Sequence, residues 1–72
     1  MIRALITADR IAQKYNVPYS TVNHYTIIGL LKVVNKRKNV RLYDEAEVRH
    51  KLKRILELKE KGYPLSLIKS NL

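Results

Sequence analysis

A mainly α-helical domain carrying one small β-hairpin is what this sequence predicts, and three observations predict it. Apolar residues recur at helical spacing on both sides of the short stretch NVP at 16–18. After Gly29 the pattern changes to alternation, in two β-prone runs that flank NKRKN at 35–39. Asp44 then opens a long amphipathic stretch that Gly62 closes.

The first helix is expected from about Ala8 to Tyr15. Thr7 can cap it, Asp9 suits the positive end of its dipole, and Ala8, Ile11, Ala12 and Tyr15 form one apolar stripe. Asn16 tolerates the left-handed conformation a helix end often needs, and Pro18 fits the entry of the next helix. That second helix spans roughly Tyr19 to Ile28, with Val22, Tyr25 or Thr26, and Gly29 giving its inner face. Two helices around so tight a turn make a helix-turn-helix; a plain helical hairpin, which implies no nucleic acid, is the other reading.

The outer face of the second helix carries Ser20, Asn23, His24 and Ile27 at i, i+3, i+4 and i+7, with Tyr19 at its start. A helix solubilised only by water usually shows Glu and Lys there, whereas this face holds compact polar groups, one branched apolar side chain and no acid. Asn pairs in bidentate fashion with adenine, Ser bonds either base type, and Ile meets a thymine methyl. These five residues are therefore the candidate base or groove contacts, against the simpler reading of an ordinary surface helix.

Leu31, Val33 and Asn35 alternate with Lys32 and Val34, and Val40 and Leu42 with Arg41 and Tyr43. The two runs read as a two-stranded hairpin whose loop, Asn35 to Asn39, sets Lys36, Arg37 and Lys38 side by side. Adjacent like charges repel unless an anion neutralises them, and a duplex backbone is the obvious one. A solvated turn whose lysines protect a sheet edge is the competing explanation. Beside a helix-turn-helix, the hairpin becomes a wing.

The third helix is expected from about Glu45 to Lys61. Asp44 and Glu47 suggest a capping box, and Val48, Leu52, Ile55 and Leu56 an inward stripe. Its outer side is strongly basic, with Glu57 and Lys61 available as an i, i+4 pair. Tyr63 and Pro64 make a corner, and Leu65, Ile68 and Leu72 recur as a final short helix.

Fifteen Lys and Arg against six Asp and Glu in 72 residues give a formal charge of +9, which suits a polyanion partner. Nucleic acid, acidic lipid and acidic protein all fit that charge. The chain has no cysteine, so neither a disulfide nor a thiolate metal site is available, and a domain this small depends on its helices and one sheet. No apolar run approaches the roughly 20 residues a bilayer span needs, and no secretory pattern opens the chain, so a cytoplasmic location is expected. His24 and His50 lack a ligand cluster, and there is no nucleophile with an adjacent base and no phosphate-cradling glycine loop. The expectation is no enzyme, no metal and no cofactor.

Three segments, NHYTIIGLL at 23–31, VRLYDEAEV at 40–48 and ILELKEKGYPLSLIK at 55–69, resemble the DNA-binding domain of the MerR family of transcription regulators. The similarity covers about Ile6 to Leu72, and its most specific parts are Tyr25 with Ile28-Gly29-Leu30-Leu31, the Arg41-Leu42-Tyr43-Asp44 junction and Gly62-Tyr63. It implies one winged helix-turn-helix domain over residues 1–72: helix-turn-helix, two-stranded wing, two further helices. It further implies that the second helix enters the major groove of double-stranded DNA, that Ser20, Asn23 and His24 face bases or nearby phosphates, and that Lys36, Arg37, Lys38 and Arg41 hold the backbone. Tyr63 would then sit in a second wing.

Family members usually place arginines at the positions of Ser20 and Asn23, a tyrosine at that of His24, and an acid followed by Arg at those of Thr26 and Ile27. The reading helix here has no Lys or Arg, so non-specific affinity is expected from the wing and the third helix. Relatives pair through a C-terminal coiled coil and carry an effector domain, both of which lie past Leu72. No small-molecule effector is thus expected within this chain, and self-association on DNA or a heterologous protein partner is. The expected function is sequence-specific DNA binding in transcription regulation, at the nucleoid. An excisionase-like DNA-bending factor is the nearest alternative, and a basic protein-interaction module is the alternative of another class.

Overall fold

The computed structural model describes residues 4–70. In chain order the elements are β1 (Leu5–Thr7), α1 (Ala8–Lys14), α2 (Tyr19–Ile27), β2 (Val33–Arg37), β3 (Val40–Asp44), α3 (Glu45–Glu60) and α4 (Leu65–Ser70). The expected class holds: a mostly helical domain with a small antiparallel sheet, arranged as a winged helix-turn-helix.

The sheet has three strands rather than the expected two, in the order β1-β3-β2. Leu5, Ile6 and Thr7 pair antiparallel with Asp44, Tyr43 and Leu42. Three residues are too few to show alternation, so this edge strand leaves no pattern in the sequence. It matters because it closes the sheet: the Ala4 carbonyl accepts from Glu45 N at 2.9 Å, and Lys14 Nζ reaches Glu45 Oε2 at 2.6 Å. The first ties the entry of β1, and the second the end of α1, to the start of α3.

The helix ends follow one physical rule three times. At Asn16, Gly29 and Gly62 the backbone is left-handed, with φ of +54°, +90° and +86°. Beyond each of them the chain donates back into the helix it has left: Val17 N to Ala12 O, Leu30 N to Tyr25 O, and Tyr63 N to Leu58 O, at 3.1, 2.8 and 3.1 Å. These bonds satisfy carbonyls that the last helical turn would otherwise leave unpaired. Gly29 therefore ends α2 and is exposed rather than lying on its inner face, and the next two residues, Leu30 and Leu31, turn into the core.

At helix starts, Thr7 Oγ1 accepts from Arg10 N, and Asp44 Oδ1 accepts from Ala46 N and Glu47 N. The Glu47 carboxylate lies 2.9 Å from Lys51 Nζ, one turn on. Glu57 pairs with Arg54 at 3.4 Å instead of with Lys61, which belongs to the helix cap.

The core is one cluster that includes Ile11 from α1, Val22 and Tyr25 from α2, Leu30 and Leu31, Tyr43 from β3, Val48, Ile55 and Leu58 from α3, and Ile68 from α4. Both Tyr25 and Thr26 are withdrawn from solvent, the first buried and the second partly so. The expected stripe of α3 needs one correction. Leu56 is 59% exposed and Leu58 is 3% exposed, because Val48, Leu52, Ile55 and Leu58 follow the helical period while Leu56 stands about 100° round from Ile55. Leu56 edges a cavity of about 550 Å³ between α3 and the α1–α2 turn, which Tyr15, Val17, Pro18 and Leu52 also line. Leu72, expected in the last helix, lies outside the described residues. Among those residues no helix is long and apolar enough to cross a membrane.

Candidate nucleic-acid interface

The face of α2 that carries the candidate contacts is open. Ser20 and His24 are exposed, Asn23 is partly buried, and Tyr19 and Ile27 are 54% and 70% exposed. An isoleucine left so open on an otherwise small-polar face is not used for packing. The opposite face, through Val22 and Tyr25, is anchored in the core. The helix is thus fixed by one side and presents the other.

Strand β3 runs beside α2 and touches it twice. Arg41 and Tyr43, two residues apart, lie on the same face of the strand. Tyr43 Oη is 2.7 Å from Thr26 Oγ1, and Arg41 Nη1 donates to Asn23 Oδ1 at 2.9 Å. Asn23 and Thr26 are likewise neighbours on one helix face, three residues apart. The partly buried contact ties the wing to α2, and the exposed one links a wing cation to a candidate base-reading side chain.

The wing itself differs from its expected form. The loop is not the five residues Asn35 to Asn39 but the two-residue turn Lys38-Asn39, both with positive φ, +48° and +67°. A turn left-handed at both centres matches the twist of the strands it joins. Lys36 and Arg37 belong to β2, paired with Arg41 and Val40. A slip between Val33 and Asn35 resets the register above them, and Asn35 Oδ1 accepts from Lys36 N at 2.7 Å. Because strand residues alternate, the three cations do not stand side by side: Lys36 shares a face with Arg41, and Arg37 takes the other with Val40. Lys36 and Arg41, directly opposite each other, are a like-charged cross-strand pair, an arrangement that costs stability unless an anion lies against it.

Tyr19, Asn23 and Arg41 line one cleft of about 320 Å³ together with Thr7, Asp9 and Asn39. Nothing in the local pattern places Thr7 and Asp9 beside the reading helix, since they lie at the start of α1. Asn39 carried a weak signal, as a loop-bounding Asn able to adopt positive φ. Tyr63, on the α3–α4 corner and 45% exposed, does not line this cleft. Among the described residues no three His, Cys, Asp or Glu side chains are grouped to hold a metal ion.

A family model described as MerR HTH family regulatory protein matches residues 6–72. No curated protein and no solved structure matches the chain.

Proposed function

Because the chain belongs to the MerR HTH family of regulatory proteins, whose members are DNA-binding transcription regulators, we propose that it binds double-stranded DNA sequence-specifically with α2 in the major groove. Tyr19, Ser20, Asn23, His24 and Ile27 meet base edges or the groove wall. Lys36, Arg37, Lys38 and Arg41 hold the phosphate backbone from the wing, and Tyr63 touches it from the α3–α4 corner. Residues 1–72 act as one domain in the cytoplasm, on the nucleoid, self-associating on DNA or joined by a heterologous protein.

The observation that carries this reading is the pairing of two surfaces. An uncharged, solvent-open face on α2 lies next to the like-charged pair Lys36 and Arg41, which shares the strand face that contacts α2. Base edges present hydrogen-bonding groups and methyls, and phosphates present charge, so the two surfaces match the two parts of a duplex. Selection of bound sites from random duplexes, with the mass of the free and bound protein measured, tests the reading. The expected result is a short enriched motif, and enrichment of no sequence overturns it.

A further inference from the structure

We propose that Arg41 is a positioning residue for base readout: by holding Asn23 Oδ1 it fixes which end of the Asn23 carboxamide faces the groove. This rests on the groove reading of α2 above. A carboxamide is nearly symmetric in shape, and a free Asn turns it over readily, presenting donor or acceptor to a base with equal ease. A guanidinium only donates, so the end of Asn23 that Arg41 Nη1 contacts at 2.9 Å must be the oxygen. The Nδ2 group is therefore directed away from Arg41, with both of its hydrogens free of that contact. Tyr43, two residues along the same strand, is bonded to Thr26, one helical turn beyond Asn23, so strand and helix cannot slide past each other and lose the contact.

The consequence is a defined preference. Nδ2 donates to a purine N7, and the second lone pair of Oδ1 accepts from an exocyclic amino group, a combination that adenine offers and guanine does not. The substrate class is thus a duplex with adenine at the position facing Asn23. Arg41 does not contact that base; it acts through Asn23.

The test is a set of duplexes varied at one base pair, measured against the parent chain and the variants Asn23→Ala, Asn23→Asp, Arg41→Met and Arg41→Lys. Thermal melting of each variant checks that it is folded; both residues are outside the core. The expected result is that Asn23→Ala and Arg41→Met each lower discrimination at the same base pair by roughly tenfold. Combining them lowers it no further, and Arg41→Lys restores part of it. Asn23→Asp, which keeps an oxygen for Arg41 but turns the donor into an acceptor, moves the preference toward cytosine. If Arg41→Met weakens all duplexes alike and flattens the salt dependence while discrimination persists, Arg41 is a phosphate contact alone and the proposal is overturned with the groove reading intact. If Asn23→Ala leaves discrimination unchanged at every position, Asn23 reads no base and the groove assignment of that residue falls as well.

Discussion

Thr26 Oγ1 donates its one hydrogen to the Val22 carbonyl at 2.9 Å, so the 2.7 Å contact with Tyr43 is donated by the tyrosine. Tyr43 is fully buried, and this bond is what satisfies its hydroxyl while it joins the wing to the reading helix. An asymmetry between the partners follows. Tyr43→Phe removes donor and hydroxyl together and should cost about 1 kcal/mol, whereas Thr26→Val leaves a buried tyrosine hydroxyl unpaired and should cost about 1–3 kcal/mol. Urea denaturation of the two variants measures the difference; equal costs would show that the bond does not join the two elements.

Gly62 and Gly29 have nearly the same φ, and they differ in surroundings. A methyl at Gly62 meets nothing within 4 Å, and one at Gly29 meets the end of the Lys69 side chain, Cε at 3.5 Å and Nζ at 3.6 Å, which are ordinary contacts. Alanine at either position therefore should cost the same amount, about 1–2 kcal/mol, arising from the left-handed backbone and not from crowding. A Gly62→Ala variant as stable as the parent in urea would show that the α3 end does not need this conformation.

Tyr15 Oη is buried with no hydrogen-bond partner among the described residues. Removing it as Tyr15→Phe relieves a desolvated hydroxyl without changing the ring, and stability should hold or rise by up to about 1 kcal/mol. A loss of more than 1 kcal/mol in the same denaturation assay would reveal a bond that this hydroxyl makes.

On the wing, the two β2 cations should not be equivalent. If about five phosphates are neutralised, log affinity falls with log salt at a slope of about −4 to −5, and each lost phosphate contact removes about 0.9 from it. Lys36, which shares a face with Arg41, is expected to show that reduction on replacement by Ala, and Arg37, on the other face, a smaller one. Fluorescence anisotropy titrations over a salt series read the slopes. A triple Ala variant at Lys36, Arg37 and Lys38 with the parent's affinity at every salt concentration would remove the wing from the interface.

Ile27 separates stability from binding. At 70% exposure its truncation to Ala should leave the urea midpoint within about 0.5 kcal/mol of the parent. Affinity for the selected duplex should nevertheless fall, most at sites where a thymine methyl faces the helix. Unchanged affinity on that duplex would show that the side chain is simply surface.

Much of the fold was legible because local signals repeat. Thr7 and Asp44 as caps, Asn16, Gly29 and Gly62 as left-handed stops, and the change from helical to alternating period are each decided within a few residues, and all five end or begin an element where expected. The open face of α2 was legible for the same reason, since spacing alone puts Ser20, Asn23, His24 and Ile27 together. Where competing local choices were close, reading failed. Leu56 and Leu58 lie one and three residues beyond Ile55, both near the edge of the helical stripe, and only packing against the rest of the core selects Leu58.

By itself, then, the sequence determined the order of the helices and the hairpin, the ends of the helices, the concentration of positive charge and the uncharged character of the exposed helix face, because these depend on neighbours in the chain. Tertiary structure alone decided that Leu5–Thr7 joins the sheet, that Lys36 faces Arg41 while Arg37 turns away, and that Arg41 and Tyr43 grip Asn23 and Thr26. Each of these rests on strand register, where a shift of one residue exchanges the two faces of a strand, and the contacts of β3 with α2 and with β1 reach across 17 to 39 positions of sequence. No local pattern records such a choice; the closing of the sheet onto α2 makes it.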